Sequence, residues 1–445
     1  MEQTENKSFG SEKISRVLLK IAPPVMLAQL IQALYNIVDS FFVGKYSSDA
    51  LTALSVIYPM QLIIIAFAVG TGVGVNTYMA RKYAQEKEED AKNAAGTGLL
   101  LSLATWAVFA LISTSIMRPY VKTSASSSAA IDFAVTYGNI VCIGSVGCFL
   151  EGNWTKIHQA RGNMRRPMIA QIAGALINVA LDPVLIFGWG FFPEMGVAGA
   201  AYATVLGQIT AAAITAFGAI CLPPKKRLSH YVKRIYFFGY PSILMQALYT
   251  VYILALNIIL AGFSDSAVTV LGLYYKLQAF FFIPLFGLQT CIVPVLSYNY
   301  AIKKYVRCKK IMNASFFISA VFMLLGMAGF ILFPHVLISI FSKEAEVHKI
   351  GGFAFPIIGS GFISAVFGLI MPTFFQAIGR GGTSTFLSVF RQILCLVPIF
   401  WLFSLIGLNY TWIAFPVSET LSGCVGLIIY AATIKSWKLT QKTGQ

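Results

Sequence analysis

A dozen long apolar stretches, each about the length a helix needs to cross hydrocarbon, fix the solvent of this chain before any motif is considered. We place the spans at 17–43, 50–79, 94–117, 129–154, 166–189, 197–221, 236–262, 267–298, 312–341, 351–377, 384–406 and 411–434. Short polar stretches such as 81–92 and 223–234 separate them, and nothing left over is long enough for a soluble domain. With 57% hydrophobic against 11% charged residues over 445 positions, lipid must be the main solvent. A segment in lipid has to satisfy its own backbone hydrogen bonds, so the expected fold is an all-α integral membrane protein of about twelve transmembrane helices.

The N-terminal residues carry Glu2, Glu5, Lys7 and Glu12 in place of the basic start and cleavage site of a signal peptide, so the first span is expected to remain in the mature protein. The net charge of +16 would suit a nucleic-acid partner if it formed a stripe on a soluble module. Assigned to alternating loops, however, the cations gather on one side. That side holds Lys7, Lys13, Arg16 and Lys20; Arg81, Lys82, Lys87 and Lys92; Lys156, Arg161, Arg165 and Arg166; and Lys225, Lys226, Arg227, Lys233 and Arg234. It continues with Lys303, Lys304, Arg307, Lys309, Lys310, Arg380, Lys435, Lys438 and Lys442, while the opposite side has Lys45, Arg118, Lys122, Lys343 and Lys349. The positive-inside bias then puts both termini in the cytoplasm of a cell membrane, and the basic excess reads as topology rather than nucleic-acid binding.

The chain repeats itself. Displaced by 217 residues, Pro24 pairs with Pro241, Gln29 with Gln246, Tyr35 with Tyr252, Leu54 with Leu271, Tyr58 with Tyr275, Gln61 with Gln278 and Gly70 with Gly287. Much later Gln159, Ala160 and Gly162 meet Gln376, Ala377 and Gly379 in the same register. We read two six-helix lobes, residues 1–222 and 235–445, joined by a cytoplasmic linker at 223–234. Six spans return the chain to its starting side, so the repeats are parallel, as in many transporters. The competing reading of a duplicated scaffold is a rigid bundle or channel.

Ionisable groups inside spans are expensive, at least about 2.5–3.5 kcal/mol each on insertion scales, and ask for a reason. Asp39, Glu151, Asp182, Lys276, Arg391 and Glu419 are of this kind. The register pairs Asp39 with Leu256, Glu151 with Gly368, Asp182 with Ile399, Lys276 with Pro59 and Arg391 with Gly174. The first lobe is therefore acidic inside and the second mainly basic, which suits a proton or sodium relay in the first. Asn178 and Asp182 share one helix face, one turn apart, and Pro183 must bend the helix or remove a hydrogen bond beside them. Structural alternatives are that Glu151 pairs with a cation near a helix end, Arg391 snorkels, and Glu419 bonds a neighbouring helix. Uncharged Asn36, Asn76, Gln29, Gln32, Gln246 and Asn257 read as helix glue. Tyr35, Tyr137, Phe149, Met245, Phe280, Phe281 and Phe282 could line an adaptable cavity or simply pack.

An enzyme has no support: His158, His230, His335 and His348 fall in or near loops without a metal or nucleophile pattern. The seven Cys lack CxxC spacing and read as buried thiols.

Several segments resemble the multidrug and toxic compound extrusion (MATE) family, in its bacterial branches. They are Tyr35-Asn-Ile-Val-Asp-Ser-Phe-Phe-Val-Gly44, Gln159-Ala-Arg-Gly-Asn163, Asn178-Val-Ala-Leu-Asp-Pro-Val-Leu-Ile-Phe-Gly188, Gly196-Val-Ala-Gly-Ala-Ala-Tyr-Ala-Thr204 and Gln376-Ala-Ile-Gly379. The resemblance runs through nearly the whole chain. It implies V-shaped lobes around a cavity and, without a cofactor, export of mostly cationic lipophilic compounds in exchange for H+ or Na+. It also implies an ion-coupling site, open to Na+, at Asp39, Asn178, Asp182 and Thr204. Glu151, Lys276, Arg391 and Glu419 are further candidates for coupling or substrate contact. The seventh and tenth spans lack the carboxylates some relatives use there, which favours coupling in the first lobe. Expected partners are small organic cations and membrane lipid, with the monomer sufficient because it contains both lobes. The rival functions are a flippase for a lipid-linked precursor, for which Lys276 and Arg391 supply few cations, and an exporter of an endogenous metabolite.

Overall fold

The computed structural model describes residues 2–122, 127–190 and 192–443, and side chains except those of 2–6, 48 and 438–443, so Glu2, Glu5, Lys438 and Lys442 of the charge pattern lie outside the described side chains. All described elements are helical. In chain order they begin with α1 (Glu2–Ser11), α2 (Ile14–Tyr46), α3 (Ser48–Ala84), α4 (Glu88–Lys122), α5 (Ser128–Gly144), α6 (Val146–Ala160), α7 (Arg165–Phe187) and α8 (Val197–Ala216). The second half runs through α9 (Leu228–Ala261), α10 (Asp265–Phe281), α11 (Ile283–Ala301), α12 (Tyr305–Leu332), α13 (Pro334–Ser339), α14 (Ala345–Ser360) and α15 (Phe362–Ala377). It ends with α16 (Gly381–Val389), a π-helical stretch Phe390–Leu396, α17 (Val397–Ser404), α18 (Leu408–Thr411) and α19 (Ala414–Thr443).

Among the described residues, nine helices are long and apolar enough to cross a membrane, and twelve spans result when each bent pair counts as one. The pairs are α5 with α6, bent by 40°, and α10 with α11 and α14 with α15, each bent by 54°. Every expected span has its helix, but three expected as continuous are broken, at Ser145, Phe282 and Gly361. The ninth span is shorter than expected, since α12 stops at Leu332 and α13 is a separate turn of helix. Large apolar side chains point outward, among them Leu111 at 70%, Phe317 at 72% and Ile428 at 68% exposure, which only lipid can cover.

Two compact units divide the chain: 1–11 with 19–246, and 12–18 with 247–445. This division falls inside α2 and α9 rather than at 223–234, and residues 228–234, read above as linker, already belong to α9. In the first unit, Val43, Ile57, Met60, Tyr137, Phe149, Ile186 and Val197 form one core. Val75, Met79, Trp154, Ile157, Tyr231, Ile235 and Phe238 form another. Small residues set how closely helices approach: a Cβ on Gly74 of α3 would stand 2.1 Å from the Ile235 carbonyl oxygen of α9. The second unit packs through aromatic rings, with Phe282 on Phe362, Phe362 on Phe330 and Phe330 on Phe355 at 4.9–5.1 Å between centres, beside the breaks of α10/α11 and α14/α15.

Some cations assigned to loops have structural partners. Lys156 is buried in α6 with its ammonium on Gln159 Oε1 at 3.0 Å. Arg161 donates to the Gly218 carbonyl and Arg166 to that of Phe217 at 2.5 Å, covering the carbonyl end of α8, where the helix dipole favours positive charge. His158, expected in or near a loop, is buried in α6 against the Thr215 carbonyl at 2.9 Å.

Candidate functional site

Gly174 of α7 and Gly207 of α8 set the geometry of the first unit's polar interior. A Cβ on Gly174 would lie 2.6 Å from the Gly207 carbonyl oxygen, and one on Gly207 would lie 2.7 Å from that of Gly174. Only glycine permits so close a crossing. It brings the next turns together, so that Asn178 Nδ2 donates to Thr204 Oγ1 at 3.3 Å. Asp182 follows one turn beyond Asn178 and is completely buried, and α7 runs on through Pro183 to Phe187.

Asp39 of α2 is also buried, and its carboxylate lies close enough to that of Asp182 for the two to interact electrostatically. The Tyr35 hydroxyl stands within electrostatic reach of Asp39, Asp182 and Glu151. Tyr137 of α5 accepts a hydrogen bond from Gln61 Nε2 at 3.3 Å and lies within electrostatic reach of Asp39. The structure thus brings Asp39, Asn178, Asp182 and Thr204 into one cluster, with Tyr35, Gln61 and Tyr137 around it. In the sequence, Tyr35 and Tyr137 are candidate cavity lining, Tyr35 also a repeat partner of Tyr252 and the start of a family-like segment, and Gln61 is one half of a repeat pair. A polar residue kept at both register positions of an apolar span, as with Gln61 and Gln278, was the available signal.

The cluster is rich in acceptors and poor in donors. Asp39 Oδ1, both carboxylate oxygens of Asp182 and Asn178 Oδ1 are buried without a hydrogen-bond partner among the described residues. Buried oxygens in that state are costly, and a carboxylate without a counter-charge is costlier still. A proton or a small metal cation is what such a donor set lacks; the oxygen ligands suit a hard cation such as Na+. Glu151, within electrostatic reach of Tyr35, accepts from Thr155 Oγ1 through its Oε1 at 2.6 Å one turn along α6.

The second unit differs at every corresponding position. Leu256, Cys395, Ile399 and Leu421 stand in register with Asp39, Asn178, Asp182 and Thr204. Its charges are arranged otherwise: Arg391, on the π-helical stretch, grips Glu419 of α19 through Nε at 2.8 Å and Nη2 at 2.6 Å. Both side chains are only 11–12% exposed. Gly368, the register partner of Glu151, leaves the room they need, for a Cβ there would stand 2.9 Å from Glu419 Oε2 and 3.2 Å from Arg391 Cδ. Tyr252 and Tyr274 lie within electrostatic reach of the pair. Lys276 takes no part in this pairing; it is exposed on α10, its ammonium 5.9 Å from the centre of the Phe341 ring.

Comparison with known proteins agrees with this architecture. The chain is 24% identical to a FAD transporter of Shewanella oneidensis over 93% of both chains. It is 22% identical to the multidrug export protein MepA of Staphylococcus haemolyticus, over 95% of this chain and 94% of that one. Among solved structures, a MATE transporter in complex with MaL6 superposes with a TM-score of 0.90 at 22% identity, covering 97% of this chain and 98% of that one. A MOP superfamily transporter from Pyrococcus furiosus superposes at 0.89 and 23%, with the same coverage. The MatE family model matches twice, at residues 24–184 and 241–402, and its two starting points are the register-paired Pro24 and Pro241. Two matches that together span most of the chain, on an all-helical fold of two repeated lobes, make this protein a member of the MatE (MATE) family of membrane transporters.

Proposed function

We propose that the protein is a secondary active exporter of small, mostly cationic lipophilic compounds, working by alternating access in exchange for H+ or Na+ across the cell membrane. Both termini face the cytoplasm in this reading, and one chain suffices. The observation that carries it is the cluster of buried, unpartnered oxygens on Asp39, Asn178 and Asp182, bounded by Thr204, in a unit whose repeat is apolar at all four positions. Each incoming H+ or Na+ offsets one negative charge of the two carboxylates, and emptying the cluster restores that charge, which an outgoing organic cation can balance. Similarity to multidrug export proteins supports the substrate class.

The test is efflux of a fluorescent lipophilic cation from proteoliposomes under an imposed pH or sodium gradient. Wild type is expected to respond to one of the two gradients, and Asp39→Asn and Asp182→Asn to lose at least tenfold in gradient-driven rate. Unchanged efflux in both variants overturns the site assignment.

A second reading, export of an endogenous aromatic metabolite bearing an anionic group, draws on the Arg391–Glu419 pair with Tyr252 and Tyr274 nearby, and on the similarity to a FAD transporter. Flavin nucleotide uptake into the same vesicles, without movement of the organic cation, would favour it.

A further inference from the structure

The repeat isolates a charge that the exchange proposed above leaves unused. Where α11 crosses α15 in the second unit, Gln289 Nε2 donates to Thr373 Oγ1 at 3.2 Å, a neutral hydrogen bond between helices. The register partners in the first unit are Gly72 of α3 and Lys156 of α6, so the glutamine is reduced to glycine where the threonine is enlarged to lysine. A Cβ on Gly72 would stand 2.8 Å from Lys156 Cγ and 2.7 Å from the Gly152 carbonyl oxygen. Glycine thus makes the room that the lysine stem occupies. Asn76 Nδ2, whose register partner is Val293, donates to the Lys156 carbonyl at 2.9 Å and fixes this turn of α6 on α3. Lys156 is only 9% exposed, and its ammonium donates to Oε1 of the buried Gln159 at 3.0 Å.

Packing does not require a charge here, since the second unit closes the same crossing without one. Positive-inside bias accounts for Arg161, Arg165 and Arg166 in the turn after α6, but not for an ammonium drawn into a helix contact, where burial is costly. What the ammonium faces is acid. It lies within electrostatic reach of Glu151, and Glu151 is within reach of the Tyr35 hydroxyl that also faces Asp39 and Asp182. Along α6, Glu151 precedes Lys156, and the helix then ends at Ala160 in the basic turn. Cys148 of α6 is a further titratable neighbour of Glu151, while α3 faces Lys156 with Gly72 and Asn76, neither of which titrates.

We propose that Lys156 is the ion-release residue of the first unit, a resident positive charge that keeps the coupling ion from settling on Glu151 and favours its departure to the cytoplasm. The inference rests on the exchange proposed above, with the basic turn after α6 on the cytoplasmic side. An H+ or Na+ leaving Asp39 and Asp182 meets in Glu151 a carboxylate able to hold it. A fixed ammonium beside that carboxylate offsets its charge and repels a second cation. The ion is then bound less tightly and leaves faster, and Asp39 and Asp182 remain the exchanging acids.

The test measures efflux of a fluorescent lipophilic cation from proteoliposomes of the full-length protein, at graded H+ or Na+ on the side from which the ion enters. Lys156→Met keeps the length of the side chain and removes its charge. Gln159→Glu keeps the lysine and gives it a counter-charge at the hydrogen-bonded position. Each variant is expected to lower the half-saturating concentration of the coupling ion at least threefold and the maximal rate at least threefold. The half-saturating concentration of the organic cation is expected to stay within twofold of wild type. Lys156→Arg, which keeps the charge, is expected to hold the half-saturating ion concentration within twofold of wild type. Should Lys156→Met fail to fold, Gln159→Glu decides alone. A fall in maximal rate at an unchanged half-saturating ion concentration marks a structural role and overturns the inference, as does a rise in that concentration. Wild type without any ion dependence overturns the exchange itself, and this inference falls with it.

Discussion

Removing one member of a buried ion pair strands the other, and Arg391 with Glu419 is the pair where that cost is readable. Each group is about one-tenth exposed and the contact is two-pronged, so Glu419→Gln leaves a guanidinium without its counter-charge. Loss of one partner in such a setting costs about 3–5 kcal/mol, whereas replacing both by apolar side chains is commonly near neutral. Thermal unfolding in detergent is expected to show Glu419→Gln destabilised by about 3 kcal/mol and Arg391→Leu with Glu419→Leu by about 1 kcal/mol or less. A stable double variant that no longer transports would separate a functional role from a structural one. Equal destabilisation of single and double variants would mean that neither charge depends on the other. Each residue was recognisable in the sequence as a charge out of place, but not as a pair. The signal was present nonetheless: the two lie nearly equidistant from the turn at 405–407, and antiparallel neighbours joined by a short turn carry such residues at matching depth.

Helices that approach closely are specified by small residues, and Gly74 shows how narrow the tolerance is. An added Cβ would meet the Ile235 carbonyl oxygen at 2.1 Å and the Gly239 Cα at 3.1 Å, both main-chain atoms that no rotamer change can move. Overpacking of this sort costs about 1–3 kcal/mol. Gly74→Ala is therefore expected to lower the thermal midpoint by an amount in that range, while Gly272→Ala, with open space around its Cβ position, leaves it unchanged. Similar midpoints for the two variants would show that α3 and α9 do not rely on this crossing. The spans themselves were legible because lipid imposes length and hydropathy on every crossing helix. Their breaks were legible only in part: Gly144-Ser145, Pro284 just after Phe282 and Gly359-Ser360-Gly361 mark them, but Pro59, Pro183 and Pro294 lie inside uninterrupted helices, so such residues alone do not say which helix breaks. Tertiary packing decides these points: a Cβ on Gly361 would stand 2.8 Å from Pro416 Cα, and Phe282 is held edge-on by Phe362 at 5.0 Å. Of the four residues expected to couple ions, helix periodicity relates only Asn178 and Asp182, and Asp39 and Thr204 came from the family resemblance. The meeting of Asn178 with Thr204 depends on the Gly174–Gly207 crossing, a contact between helices that no single-helix pattern encodes.

At the scale of the whole chain, duplication supplied two like scaffolds and divergence gave them different chemistry, with buried carboxylate oxygens lacking a hydrogen-bond partner among the described residues in one unit and a closed ion pair in the other. The proposed exchange inherits a measurable property from that division. Two carboxylates in one unit have capacity for two protons, against a single positive charge on a typical organic cation. Entry of two protons for each cation exported moves one net charge inward, and a potential of 100 mV then contributes about 2.3 kcal/mol to the cycle. That energy corresponds to about a fifty-fold change in the limiting substrate gradient. Proteoliposomes clamped with a potassium gradient and valinomycin are expected to show this voltage dependence in wild type. Asp39→Asn, left with one acid in the cluster, is expected to lose it even where slow exchange persists, because one proton for one cation is electroneutral. A wild-type gradient insensitive to voltage would exclude two-for-one proton exchange and equally the entry of more than one sodium ion per cation. It would leave Asp39 and Asp182 sharing a single exchanged ion, an outcome that fits the acceptor-rich cluster with Asn178 and Thr204 as co-ligands rather than bystanders.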